Sequence, residues 1–190
     1  MSAGIGLMSG FWYEFSLSMG PYTYGFDIHN KKVTLIDDGN TKINTSTWAQ
    51  SGRAVANLFS LPVLPQDEND PNPYIDMWRN KEVHIQSFFL SQRDMLASIL
   101  RVTGAKESDW SIESEPAEER WKAGQEYLKG SDFGRGYLTC MYTLVFYKDG
   151  SGDHSDMLDN DKLGLPQEDL DQATKGAVEL VESGYNYFAR

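Results

Sequence analysis

The sequence predicts an α/β fold in which an open sheet is followed by a mainly helical region. Short apolar or alternating runs of strand length recur along the chain. Stretches with helical periodicity separate them, and turns rich in Gly, Pro and acidic residues lie between the two kinds of segment. This alternation of strands and helices favours an open sheet with parallel strands.

The first strands are predicted before residue 40. Residues 11–17 are an apolar run of strand length, which suits a sheet that is covered on both faces. Residues 22–28 and 33–36 are shorter candidates on either side of the polar turn at residues 29–31. We therefore expect this part of the chain to form the end of a central sheet.

A helix and a long connection follow these strands. Thr47, with Gln50 three residues later, predicts a capping box and a helix that ends at Pro62. The predicted buried face of this helix consists of Trp48, Val55, Leu58 and Phe59. Four prolines with acidic and amide residues between them then predict a surface loop over residues 62–80.

The second half of the chain begins with a predicted strand, helix and strand. Residues 83–91 read as a strand, and Ser91 with Asp94 predicts a capped helix that ends at Gly104. The predicted buried face of that helix consists of Met95, Leu96, Ile99 and Leu100. Residues 110–112 form the next strand, so this segment is predicted as a βαβ-like unit with parallel strands.

Three further helices are predicted towards the end of the chain. Pro116 fits the first turn of a helix that runs to about Lys129, and residues 133–147 form another with an aromatic face. A last helix begins near Pro166, where acidic residues complement the positive end of the helix dipole. We expect one partial domain over residues 1–190. Its predicted parts are the end of the central sheet with the following helix (10–61), the loop (62–80) and the C-terminal region (81–190).

Composition and charge argue against several classes of protein. The 190 residues include 28 acidic and 17 basic side chains, and the net charge of -11 repels nucleic-acid phosphates and anionic lipids. No stretch is long and apolar enough to cross a bilayer. The single cysteine, Cys140, excludes an intrachain disulfide and suits a reducing compartment. We expect a cytoplasmic protein with a small-molecule partner that binds neither nucleic acid nor membranes.

Motifs that carry chemistry are mostly absent from the sequence. No tyrosine is followed four positions later by the lysine that lowers a catalytic tyrosine pKa in short-chain reductases. The dispersed histidines predict no metal site, and Cys140 reads as a buried thiol without a nearby base. Gly4 and Gly6 superficially match a phosphate-binding loop, but no strand precedes them. We assign no catalytic residue and leave the cofactor-binding residues unknown.

Several segments in one order resemble the NmrA-like and isoflavone-reductase-like family, in its fungal branch. These segments are the aromatic run at residues 10–17, the segment 32–55 with its Asp-Gly-Asn-Thr-Lys turn, and residues 87–104, 109–113 and 158–181. The family is a group of atypical short-chain dehydrogenases/reductases, so the resemblance implies an incomplete Rossmann-like open sheet whose N-terminal dinucleotide-binding half is missing. It also implies NADPH as the cofactor of the complete fold. We expect that this chain alone binds none.

The aromatic run carries the predicted substrate site. Ligands of open α/β sheets bind outside the carboxyl ends of the strands, and the resemblance places this part of the fold towards nicotinamide and substrate. The predicted substrate-binding residues are Trp12, Tyr13, Phe15 and Phe88. Most aromatic residues of the run suit the core better, since continuous apolar strands are usually buried on both faces. Trp12 and Tyr13 are the better pocket candidates, because each keeps a polar handle.

Three functions remain open at this level. The first is the substrate-binding half of an NADPH-dependent isoflavone-reductase-like oxidoreductase, which acts on a small aromatic molecule and is inactive by itself. The second is a non-catalytic, dinucleotide-sensing regulator of the NmrA-like type, and the third is a truncated product without independent function. If upstream strands are missing, an uncovered sheet edge also predicts self-association.

Overall fold

The computed structural model describes residues 4–130 and 132–184, which contain three small open sheets. In the first sheet, β1 (Gly6–Met8) pairs with β6 (Glu82–His84). In the second, β2 (Phe11–Trp12) and β7 (Phe88–Ser91) flank β5 (Lys42–Ser46), and in the third, β3 (Phe26–Asp27) and β8 (Ser111–Glu115) flank β4 (Lys32–Ile36). The pairings β1–β6, β2–β5 and β4–β8 are parallel. The predicted domain of residues 1–190 extends beyond the described residues, and its boundaries remain a prediction.

Six helices lie among these strands in the described part of the chain. They are α1 (Tyr13–Ser18), α2 (Trp48–Ser60), α3 (Gln92–Thr103), α4 (Ala117–Lys129), α5 (Phe133–Val145) and α6 (Leu170–Glu182). Helices α4 and α5 pack against each other as a hairpin, and α6 packs on both α1 and α3. The α/β class with open sheets is therefore confirmed.

Local signals for helix ends are confirmed, except that the predicted capping box of Thr47 and Gln50 forms only its Thr47 half. Ser91 and Asp94 form the reciprocal capping box of α3, and Gly104 ends that helix in the left-handed conformation with φ 67°. Thr47 caps α2 by accepting a hydrogen bond from the backbone N–H of Gln50 at 2.9 Å. The Gln50 side chain, in contrast, donates to the carbonyl of Pro166 at 2.8 Å.

The predicted strand over residues 11–17 is wrong beyond its first two residues. Strand β2 ends at Trp12, and the chain turns directly into helix α1. The buried residues of α1 are Tyr13, Ser16 and Leu17, which have the i, i+3, i+4 spacing of a helix face. A short apolar run suits a buried helix as well as a buried strand, and here its packing against α6 selects the helix.

The predicted βαβ-like unit around α3 is also wrong. Residues 83–91 form two strands in different sheets, β6 next to β1 and β7 next to β5. Strand β7 runs antiparallel to β5, whereas β8, after α3, joins β4 in the third sheet. Helix α3 therefore connects two sheets and is not a crossover within one of them.

The predicted buried face of α2 is mostly wrong. Of the four residues predicted to be buried, only Leu58 is, whereas Trp48 and Val55 are exposed and Phe59 is 76% exposed. The face that packs on the fold consists of Gln50, Ala54 and Leu58. Gln50 is buried because its side chain bonds the distant Pro166 carbonyl, which helical periodicity alone does not reveal.

The main core is rich in tyrosines whose hydroxyl groups are all paired. Tyr13 bonds Thr174 at 2.7 Å, Tyr24 bonds Thr45 at 2.9 Å, and Tyr142 bonds Ser16 at 2.7 Å. Burial raises the pKa of Tyr142 to about 12 and also raises those of Tyr13 and Tyr24. These phenols are structural hydrogen-bonding groups, since they stay protonated at neutral pH.

Candidate functional site

Three aromatic side chains meet at the carboxyl ends of β2 and β5. The rings of Trp12 and Phe15 lie edge to face with centroids 6.4 Å apart, and Phe15 lies 6.4 Å from Trp48. Trp12 is 49% exposed and Trp48 is 40% exposed. We call these three residues the aromatic rim. Because β2 and β5 are parallel, their carboxyl ends lie at the same sheet edge, where open α/β folds bind ligands.

The four residues predicted to bind substrate do not share one surface. Trp12 and Phe15 belong to the aromatic rim. Tyr13 is fully buried, and Phe88 lies behind it in the core with its ring centroid 5.5 Å from that of Tyr13. The Tyr13 hydroxyl, predicted as a polar handle for a pocket, is bonded to Thr174. Substrate contact by any of the four stays a prediction.

A polar cleft of about 470 Å³ lies next to the aromatic rim. Its walls come from α1, the start of α2, residues 166–169 and α6. Glu14 links the cleft to the rim, because its Oε2 accepts a hydrogen bond from the Trp48 backbone N–H at 3.2 Å. Burial raises the pKa of the Glu14 carboxyl.

Glu168 is the most connected side chain of the polar cleft. Its Oε2 accepts hydrogen bonds from the hydroxyl groups of Thr47, at 2.7 Å, and Ser87, at 2.5 Å, and its Oε1 pairs with Arg53 at 2.6 Å. Burial acts to raise the pKa of Glu168, but the bonds from Ser87, Arg53 and Thr47 outweigh it and hold the pKa below its usual range. The network joins the N-terminus of α2 to the segment before α6.

Glu168→Gln is expected to destabilise the fold by about 1–2 kcal/mol at pH 7, because the amide weakens charge-assisted hydrogen bonds. The folded pKa of Glu168 is lower than the unfolded one, so its stabilisation is present above the ordinary value of 4.5 and is lost as pH falls through the folded pKa. Urea midpoints of both proteins should therefore converge in acid. Glu126→Gln, at an exposed ion pair, is the control with little expected effect. A difference that is independent of pH would contradict the assigned network.

Sequence reasoning missed Trp48, Glu168 and Arg53. Trp48 was predicted on a buried helix face, and Glu168 was predicted only as one of the acids near a helix dipole. Their partners are distant in sequence, since Glu168 bonds residues 81 to 121 positions away. The only available signal was that Trp48 follows directly after a strand and its cap.

Other chemistry-bearing residues do not gather into a site. His84 and His154 have ring centroids 5.5 Å apart, and burial lowers the pKa of His154. No group of three or more His, Cys, Asp or Glu among residues 4–130 and 132–184 could hold a metal ion. Cys140 is buried in α5, as predicted, and burial raises its thiol pKa.

The glycines near the start of the described residues do not fit a dinucleotide. Gly6 lies in β1 opposite Glu82, and the chain continues through Gly10 into β2 without an intervening helix. A pyrophosphate site needs a glycine turn that leads from a strand into a helix N-terminus. The polar cleft is lined by Glu14, Glu168 and Asp169, which repel phosphate. These residues therefore do not supply the pyrophosphate site that NADPH requires.

Within the described residues, helices with the length and apolar character needed to cross a membrane are absent.

Comparison with known proteins supports a reductase-like fold. No protein-family model matches the sequence. The chain is 27% identical over 151 residues to the protein named Oxidoreductase aprR from Aspergillus flavus, which covers 78% of this chain and 45% of that protein. The chain thus spans about half the length of this relative.

Solved structures show the same fold at low sequence identity. The NADPH-dependent quinone oxidoreductase QOR2 of Escherichia coli, in complex with NADPH, matches with a TM-score of 0.57 at 14% identity, over 90% of this chain and 52% of that protein. NmrA, a negative transcriptional regulator, matches with a TM-score of 0.54 at 11% identity, over 96% and 55%. The described residues therefore have a fold similar to part of an NAD(P)-binding, Rossmann-like reductase.

Proposed function

We propose that this chain is the substrate-side half of an NADPH-dependent oxidoreductase of the NmrA-like, isoflavone-reductase-like family. It acts on a small aromatic molecule only together with a nucleotide-binding half. The identity with a fungal oxidoreductase and the fold similarity to QOR2 and NmrA support the family. The substrate class rests on the aromatic rim.

The aromatic rim carries this proposal. Trp12, Phe15 and Trp48 offer adjoining ring surfaces at the sheet edge where ligands of this fold class bind. A flat ring stacks on exposed indole and phenyl groups, and a quinone of the kind named for QOR2 is such a molecule. Glu14, at the base of the rim, contributes a polar group that can orient the ring.

A regulator that senses dinucleotides is the second candidate, and the tyrosines favour it. Among the described residues, the tyrosines with shifted pKa values are Tyr13, Tyr24, Tyr142 and Tyr147, and all four are shifted upward. A proton-donating tyrosine in a reductase needs the opposite shift. None of these four tyrosines is therefore suited to donate a proton, and a regulator needs no proton donor.

The chain alone is expected not to bind NADPH saturably at micromolar concentration, because its described glycines do not form the required turn. Titration with NADPH, followed by nicotinamide fluorescence, measures this directly. The same titration is repeated after fusing to this chain the part of Oxidoreductase aprR that the chain does not match. Micromolar binding by the chain alone would contradict the proposal that another part of the protein binds NADPH. A fusion that binds NADPH without reducing any quinone would favour the regulator.

Trp12→Ala in that fusion is expected to raise KM for a quinone about tenfold through loss of the stacking surface, and to leave NADPH affinity unchanged. Phe133→Ala removes an exposed aromatic ring outside the rim and is the control. Equal effects of both variants on KM would refute the assignment of the aromatic rim to substrate.

A further inference from the structure

Arg135 is clamped between two tyrosine rings. The guanidinium carbon lies 3.9 Å from the ring centroid of Tyr127 on α4 and 4.4 Å from that of Tyr22. Both distances are well within the range of cation–π contacts. Arg135 belongs to the first turn of α5, where the Asp132 side chain caps the helix through the Arg135 backbone N–H. Its backbone and its guanidinium are therefore both fixed in place.

Apart from the two rings, the guanidinium of Arg135 has no hydrogen-bond or ion-pair partner in the described part of the chain. Its Nε is enclosed and unpaired, and neither Nη atom takes part in a hydrogen bond or ion pair with the described residues. The rings of Tyr22 and Tyr127 flank the guanidinium, and Arg135 lines a cavity of about 340 Å³. Two parallel N–H groups on one edge are the donor pattern that binds carboxylates in bidentate fashion.

The cavity is held open by a separate, buried arginine. Arg120 is 5% exposed, pairs with Glu115 at 2.6 Å, and donates to the carbonyl of Pro21 at 2.7 Å. These bonds fix the turn that carries Tyr22 against α4. Arg120 and Glu115 thus neutralise each other, and the charges that remain in the lining are those of Arg135 and Glu113.

The walls of the cavity select the class of anion. Glu113 and Glu115 line the same cavity, so a dianionic phosphate is repelled more strongly than a monoanion. Pro21, Ala123 and the two tyrosine rings offer apolar surface to the rest of the molecule. The lining shares no residue with the polar cleft beside the aromatic rim.

We propose that this cavity is a second ligand site, in which Arg135 binds the carboxylate of a small monocarboxylic acid with an apolar body. Calorimetric titration of the full chain with benzoate tests this site. Benzyl alcohol is the neutral comparator, and inorganic phosphate tests the charge class. Arg135→Gln keeps a planar group between the rings but removes the charge. Lys122→Gln removes one charge from the exposed side of α4 and is the matched control.

Benzoate is expected to bind the wild-type chain and Lys122→Gln alike, and to bind Arg135→Gln about ten- to a hundredfold more weakly, the range for charge-assisted hydrogen bonds. Benzyl alcohol should bind at least about tenfold more weakly than benzoate. The proposal is overturned by absence of benzoate binding at millimolar concentration, by equal binding to Arg135→Gln, or by tighter binding of phosphate. If Arg135→Gln unfolds by circular dichroism, Arg135→Lys replaces it. That variant keeps the charge but loses the two parallel N–H groups. Benzoate binding to Arg135→Lys with wild-type affinity would therefore also overturn the proposal.

Discussion

Replacing Arg120 by alanine is expected to cost about 3 kcal/mol of unfolding free energy, the lower end of the range for breaking a buried ion pair. Arg120 is almost completely buried and bonds Glu115 together with the carbonyls of Pro21 and Thr23. Its removal leaves those carbonyls without a donor. The side chain of Glu115 stays one-third exposed, which limits the penalty on the freed carboxylate.

Urea unfolding of Arg120→Ala measures this loss. Lys129→Ala, which breaks an exposed ion pair with Glu126 on the same helix, is the matched control and should cost no more than about 0.5 kcal/mol. Arg120→Met distinguishes lost packing from lost hydrogen bonds, because methionine fills much of the same space. If both Arg120 variants unfold like the control, the turn at residues 20–24 does not depend on this side chain.

Local sequence signals were sufficient for the caps of α2 and α3 and for the existence of helices α4 and α5. The Ser91–Asp94 box and the Thr47 cap depend on residues three positions apart, and helices α4 and α5 were predicted to within a few residues. These features depend on residues that are close in sequence, so they can be predicted without knowledge of tertiary contacts.

Distant partners explain where prediction from sequence failed. The run from residue 11 to 17 is apolar in either conformation, and only contact with α6, more than 150 positions later, selects the helix. The buried face of α2 is determined by Gln50, whose hydrogen-bond partner Pro166 lies 116 positions away. Both errors arise because the periodicity of apolar side chains indicates which residues can be buried but does not identify the element that packs against them.

The candidate site was predicted in part for the same reason. The aromatic run was expected to be a strand throughout, whereas the strand ends at Trp12 and Phe15 lies in α1, so substrate contact by Trp12 and Phe15 stays a prediction. Trp48 was not predicted as a site residue, because its exposure depends on which face of α2 meets the body of the protein. Phe88 and Tyr13 are buried below this surface. A pattern of aromatic residues alone does not distinguish buried side chains from surface side chains.

Gly10→Ala is expected to destabilise the fold by about 2–4 kcal/mol and to disturb the aromatic rim. Gly10 has φ 63°, which disfavours any side chain, and an added Cβ would overlap the backbone carbonyl oxygen of Asn44. The Asn44 carbonyl oxygen belongs to the backbone of β5, so it cannot move aside by a side-chain rotation. Relief requires β2 to separate from β5, which breaks the pairing of Phe11 with Thr45.

Gly52→Ala is the matched control for this prediction. Gly52 lies on the exposed side of α2 with no atom within 4 Å of an added Cβ, so alanine should leave stability unchanged or raise it by up to about 1 kcal/mol. Urea unfolding gives both free energies, and KM for a quinone in the fusion protein reports on the rim, because Trp12 follows Gly10 by two residues. A Gly10→Ala protein as stable as Gly52→Ala would show that β2 does not approach β5 as closely as the parallel register requires, and the aromatic rim would then lose its fixed position at the sheet edge.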